Sequence, residues 1–320
     1  MKKILIAAAA CAALSAQAQT KWDMPTPYSE GEFHTRNVKA FADDVKKFTN
    51  GGLEITVHSN QALIKHPDTL RAVSTGQVNV AEFLLGQFAN EDPVFAADNV
   101  PFVAAGYDAA WKFYQAQKPV LEKKLQGRGL KLLYSVAWPG QGIYTKDPVD
   151  KAADFKGLKM RTYSPLTSRL AELVGATGIQ VQVTDVPQMF STGAMNAMVT
   201  SSATGTATKA WEFVKNYTRT NAWNPKNVVV VNERALGRLP KNQQDAILKA
   251  AAAAEPRGWA MSKAREKEGD EALAKNGVTL TEASAELKSA LAKVGDQMAA
   301  EWEKSAGADG QAILKAYRGK

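Results

Sequence analysis

Residues Asp154 to Thr200 set a strand, helix, strand, helix, strand order in the middle of this 320-residue chain. Leu158-Lys159-Met160-Arg161-Thr162 closes a first short strand, and an amphipathic segment carries on to Gly175. Ile179-Gln180-Val181-Gln182-Val183 reads as the next strand, and Val186 to Thr192 as a short helix ended by Gly193. An apolar segment then runs to Thr200. A glycine after each helix supplies the left-handed residue that commonly stops one. Ligands of open α/β sheets bind in the crevice beyond the carboxyl ends of the strands, and Arg161 stands near such an end. A guanidinium there offers a fork of donors suited to a carboxylate or phosphate. Position alone favours an ordinary surface arginine over a ligand anchor.

An internal similarity points to two lobes. Ser74-Thr75-Gly76-Gln77-Val78-Asn79 and Ser191-Thr192-Gly193-Ala194-Met195-Asn196 share Ser, Thr, Gly and Asn at one spacing. Six residues can match by accident, but each set follows a helix and leads into an apolar strand. The first half predicts strands at Lys21–Met24, Leu53–His58, Val78–Leu84 and Leu130–Ala137, and helices at Glu32–Thr49, His66–Thr75 and Asp108–Gln126. Pro139-Gly140-Gln141-Gly142 is a turn-rich link to Ile143-Tyr144-Thr145. Beyond the central stretch come a helix around Ala207 to Lys215 and the β-branched run Val228 to Val231, typical of a strand buried on both faces. A helical pattern from Gln243 to Asn276 carries Pro256, which removes a backbone donor and predicts a kink. Leu287, Leu291, Val294, Met298 and Trp302 lie on one face of a C-terminal helix, expected on the second lobe.

Met1-Lys2-Lys3, the apolar run Ile4 to Leu14 and Ala16-Gln17-Ala18 have the pattern of a secretory signal peptide cleaved before Gln19. A lipoprotein reading through Cys11 is the lesser alternative, since Ala8-Ala9-Ala10 lacks the usual leucine. After cleavage no cysteine is left, which excludes disulfides and thiol chemistry. No later apolar run reaches the ~20 residues of a membrane span. Losing Lys2 and Lys3 takes the formal charge from +8 to +6, and the lysines alternate with acids, as in Lys263 to Glu268. No basic run is interleaved with stacking aromatics, so nucleic acid is not an expected partner.

Enzyme signatures are missing. His34, His58 and His66 form no pair at metal spacing and read as surface or loop residues. There is no Gly-x-Ser-x-Gly elbow, phosphate-binding Gly-Lys-Ser/Thr loop or Gly-x-Gly-x-x-Gly turn. No catalytic residue, metal or cofactor is assigned.

Lys156-Gly157-Leu158-Lys159-Met160-Arg161, Gly175-Ala176 and the Gly193 element resemble the DctP-like solute-binding proteins of tripartite ATP-independent periplasmic (TRAP) transporters. The similarity extends to Gly51-Gly52-Leu53-Glu54-Ile55-Thr56-Val57, to Leu70–Val80 and to Asn99-Val100-Pro101-Phe102. The resemblance implies an α/β, bilobal periplasmic binding protein fold, two α/β lobes joined by hinge strands and a long lobe-spanning helix. It implies a signal peptide at 1–18, a first lobe at 19–138 and a second at 139–226. Residues 227–266 then return to the first lobe with the hinge helix, and 267–320 end on the second. It further implies a periplasmic monomer that captures an organic acid, closes by a hinge and contacts membrane permease subunits, with no chemistry on the ligand. A sensory binding protein of the same fold is the other reading.

In that family the motif arginine, here Arg161, forms the salt bridge to the substrate carboxylate. Sialic-acid-type relatives carry a second arginine where this chain has Gln141, and a glutamate and an arginine where it has Leu84 and Gln87. Thr200 stands where an asparagine is frequent. An unpaired buried polar group on a ligand costs ~1–3 kcal/mol, so such a pocket is expected to reject hydroxylated sugar acids. Phe83, Trp138, Tyr144, Tyr163 and Trp223 lie in or beside the segments expected at the cleft, with core packing the alternative for each. Ser164 and Thr184 complete the candidate ligand-binding set. The expected ligand is a 2-oxo or 2-hydroxy monocarboxylate with an aromatic or branched apolar tail. A C4-dicarboxylate, which needs a second cation, is the runner-up.

Overall fold

Parallel strands β1 (Thr20–Pro25) and β2 (Leu53–His58) are joined through helix α1 (Phe33–Phe48). The computed structural model describes residues 19–319, and the expected signal peptide, with Cys11, lies outside the described residues. Helix α1 buries Phe33, Val38, Phe41 and Val45 because their spacing of three to five places them on one face. A three-ten turn at His66–Asp68 leads into α2 (Thr69–Thr75), then β3 (Val80–Leu84), α3 (Tyr107–Gln126) and β4 (Leu130–Ala137).

The second lobe contains β5 (Gln141–Thr145), β6 (Lys159–Thr162), α4 (Pro165–Leu173), β7 (Thr177–Gln180), α5 (Val186–Ser191), β8 (Ala197–Ser201), α6 (Ser202–Ala207) and β9 (Asn216–Arg219). Its central stretch keeps the expected alternation, with β6 between β7 and β8 and parallel to both. The repeated Ser-Thr-Gly element has a shared geometry. Gly76 and Gly193, at φ +80° and +71°, each follow a short helix and turn the chain toward β3 or β8. Three local expectations are corrected. Strand β7 ends at Gln180, so Val181 to Val183 leave the sheet. Gln141 and Gly142 belong to β5 rather than a turn, because both pair with β8. The helix expected around Ala207 to Lys215 lies earlier, as α6, and leaves only a three-ten turn at Ala210–Glu212.

From β9 the chain crosses back as β10 (Lys226–Asn232), followed by α7 (Glu233–Gly237), α8 (Lys241–Lys275), β11 (Thr279–Glu282) and α9 (Ala285–Arg318). Strand β10 inserts between β3 and β4, antiparallel to both, and is buried along its whole length. The second-lobe sheet has the order β11-β9-β5-β8-β6-β7. The two crossing segments are tied to each other: Trp138 N donates to Pro225 O at 2.8 Å and Asn221 N to Gln141 O at 2.9 Å.

Helix α8 spans 35 residues, roughly 52 Å at 1.5 Å per residue. Its first part packs on α1 and β4 and its later part on α6 and β11. It runs as one helix through Pro256, where the sequence predicts an interruption. Side chains of the first lobe brace that region. Asn37 Nδ2 donates to Ala254 O at 3.0 Å, and Glu255 Oε1 accepts from Tyr114 Oη at 2.8 Å. Helix α9 departs from expectation more. Leu287, Leu291 and Met298 enter the second-lobe core, whereas Trp302, Ile313 and Leu314 pack with Phe113 of α3 and the turn at Val94–Ala97. Gly307, at φ 55° and ψ −133°, breaks the helical geometry between these two parts.

Candidate functional site

Arg161 occupies the third position of the four-residue strand β6, at the carboxyl end of the second-lobe sheet. Its Nε donates to Val181 O at 3.0 Å, and Val181 N in turn donates to Thr162 O at 3.1 Å. That carbonyl is available because Val181 has left β7, so the early strand end is what orients the arginine. The guanidinium carbon lies 5.3 Å from the centre of the Tyr163 ring, a weakly attractive cation–π placement. Only 4% of Arg161 is exposed. Among the described residues no carboxylate pairs with it and neither terminal nitrogen has an acceptor. Burial lowers its pKa to about 10, which still leaves it charged at neutral pH. A buried cation without a counter-ion is unfavourable until an anion arrives.

Arg161 lines a cleft between the lobes that holds about 420 Å³ of space, part of it open to solvent. Tyr28, His66, Leu84, Gln87 and Trp138 come from the first lobe. Gln141, Tyr163, Gln182, Val183, Thr200, Ser201 and Thr204 come from the second, with Pro225 at the crossing. The aromatic walls are held rigid. Asn227 Oδ1 accepts from Trp138 Nε1 at 2.9 Å and Tyr28 Oη at 3.1 Å, and the two rings meet edge to face at 4.9 Å. Tyr163 Oη donates to Gln141 Oε1 at 3.0 Å and accepts from Trp223 Nε1 at 3.0 Å. Desolvation raises the Tyr163 pKa, keeping the phenol neutral. Two bonds cross the cleft: Gln61 Nε2 to Thr184 Oγ1 at 3.2 Å, and His66 Nδ1 with Gln182 Oε1 at 3.1 Å.

Of the residues singled out in the sequence, the cavity brings together Arg161, Gln141, Leu84, Gln87, Trp138, Tyr163 and Thr200. Phe83 is not in the wall: strand neighbours face opposite ways, so with Leu84 at the cavity Phe83 turns to Phe88, 5.1 Å away. Ser164 caps α4, its Oγ accepting from Thr167 N at 3.2 Å. Thr184 lies at a neighbouring hollow, and Trp223 stands behind Tyr163. Tyr144 is core, stacked on Tyr217 at 4.2 Å. The histidines expected at the surface divide. His58 is partly exposed, His34 is buried against Glu82 at 3.0 Å, and His66 is buried in the cavity wall. Tyr28, His66, Gln182, Val183, Ser201, Thr204 and Pro225 were missed. Tyr28, Val183 and Pro225 stand in loops or turns with no periodicity to mark them. Among the described residues no cluster of three or more His, Cys, Asp or Glu is set to hold a metal, and no helix is long and apolar enough to cross a membrane.

Two α/β lobes enclosing an arginine that has no carboxylate partner among the described residues have the arrangement of a solute-binding protein. Residues 26–305 match the DctP family, described as bacterial extracellular solute-binding protein, family 7, and the chain belongs to this family of TRAP transporter solute-binding proteins. The structure resembles that of DctP6, a Bordetella pertussis extracytoplasmic solute receptor binding pyroglutamic acid. The TM-score is 0.93 and the identity 48%, over 94% of this chain and 100% of that one. DctP7 of the same organism, also described as binding pyroglutamic acid, gives 0.92 and 43% over 93% and 99%. A solute-binding protein of Albidiferax ferrireducens is 27% identical over 68% of this chain and 66% of its own length.

Proposed function

We propose that this chain captures a small monocarboxylate in the periplasm, pairs it with Arg161 and delivers it to a TRAP membrane permease, with pyroglutamate the foremost candidate. The observation that carries this reading is the buried Arg161, whose terminal nitrogens lack any protein acceptor among the described residues. A ligand carboxylate supplies both the missing charge and two acceptors for the planar fork. Contacts from both lobes, already bridged by Gln61–Thr184 and His66–Gln182, favour a closed state that the ligand selects. The flat walls of Tyr28, Trp138 and Tyr163 suit a compact ring, and DctP6 and DctP7 support a lactam acid. Leu84, Val183 and Pro225 favour, as second choice, a 2-oxo or 2-hydroxy acid with an apolar tail. A C4-dicarboxylate fits less well, because among the described lining residues Arg161 is the one permanent cation.

Titration calorimetry with L-pyroglutamate, 4-methyl-2-oxopentanoate and succinate tests the ranking. The first is expected to bind tightest, and tighter binding of succinate overturns it. Arg161→Ala should weaken the best ligand by at least about 30-fold, as for a truncated buried charge pair, with the melting transition retained. Unchanged affinity sinks the role of Arg161.

A further inference from the structure

His66 and Gln182 meet across the cleft in an order that one protonation pattern satisfies. The Leu84 backbone N–H lies 3.2 Å from His66 Nε2. A backbone N–H only donates, so Nε2 is bare and the neutral ring carries its proton on Nδ1. Nδ1 stands 3.1 Å from Gln182 Oε1, and an amide oxygen only accepts. The Gln182 amide is therefore fixed with its oxygen on His66 and its NH₂ group left over. Gln182 lines the cavity, and among the described residues its Nε2 has no acceptor. The other two amides in the wall differ. Gln141 is engaged at both ends, by Pro139 O and Tyr163 Oη, while no bond among the described residues orients the Gln87 side chain. Glu82 and Arg161 are the charged groups that act on His66, in opposite senses.

The geometry points to Gln182 as a specificity-determining residue, whose Nε2–H donates to a ligand carbonyl oxygen beyond the carboxylate on Arg161, with His66 as its positioning residue. This deepens the carboxylate-capture reading and rests on it. The site selects acids bearing an oxo or lactam oxygen over acids of the same shape without one, since the latter leave the oriented amide N–H unpaired once the lobes close over the ligand. The preference is about tenfold to a hundredfold.

Calorimetry with two acids differing only in the carbonyl, 3-oxocyclopentanecarboxylate and cyclopentanecarboxylate, reads the preference directly, with L-pyroglutamate as reference. Wild type is expected to favour the oxo acid at least about tenfold. Gln182→Leu should bring the ratio close to one, in part by tightening cyclopentanecarboxylate binding, because the N–H that this acid leaves unpaired is gone. His66→Leu should lower the ratio, and His66→Asn, which returns an N–H near the Nδ1 position, should restore part of it. Wild type that binds L-pyroglutamate while Gln182→Leu keeps the wild-type ratio overturns Gln182 alone. A His66→Leu variant with the full ratio overturns the positioning role. Wild type with no affinity for L-pyroglutamate or either cyclic acid overturns the ligand reading and this inference together.

Discussion

His66 is neutral in the folded protein down to about pH 4, held there chiefly by desolvation, whereas an unfolded histidine takes up its proton near pH 6.5. Between those values the unfolded chain binds more protons than the native one, so stability falls as pH drops through this window. The effect is on the order of 3 kcal/mol once pH reaches about 4. Urea denaturation of wild type and His66→Asn from pH 7 to 4.5 is expected to show the steeper loss in wild type, and equal slopes would refute it. The same residue shows why the site was only partly legible. Arg161 could be found because a recognisable run of residues surrounds it, and Leu84, Trp138 and Tyr163 because they border strands. His66 begins a three-ten turn and Gln182 follows a strand end, where no spacing declares which way a side chain faces. Phe83 was misplaced for a simpler reason. Which face of a strand meets the cleft depends on register, and β3 takes its register from β10, far along the chain.

Helix α8 approaches each lobe through a glycine. A Cβ on Gly258 would lie 2.4 Å from Val136 Cγ2 and 2.6 Å from Asn37 Nδ2, and one on Gly269 would lie 2.9 Å from the Ser202 backbone. They stand eleven positions apart, about three turns, so both glycines lie on one face. Alanine gains about 1 kcal/mol over glycine in a helix interior. At Gly258 the overlap should outweigh that gain, because Val136 is buried and β-branched and Asn37 is held by Ala254 O and Arg257. Gly258→Ala is expected to destabilise by about 1–2 kcal/mol, read as a lower urea midpoint. A raised midpoint would mean that α8 can shift outward. Long periodic elements such as α1, α3, β4 and β10 were legible because burial imposes their patterns. Continuity through Pro256 was not, since the bracing groups Asn37, Tyr114 and Ser135 are distant in sequence.

Four stretches pass between the lobes: the links at Trp138–Gly140 and Thr220–Pro225, and helices α8 and α9. The first three suit a hinge, and α9 adds a strap whose weak point is Gly307. If ligand selects the closed form, small-angle scattering should give a smaller radius of gyration with saturating L-pyroglutamate than without it. Binding with no change in radius would indicate a cleft that is closed from the outset. The route of β10 has a consequence of another kind. The middle strand of the first sheet arrives only after the whole second-lobe segment from Gln141 to Arg219 has been made, so β3 and β4 have no partner between them until then. Late pairing of this sort delays folding by forcing long loops to close first. The first-lobe sheet therefore cannot be completed while the rest of the chain is still being synthesised, and a chain that has not yet closed its sheet is one that can still be threaded across a membrane.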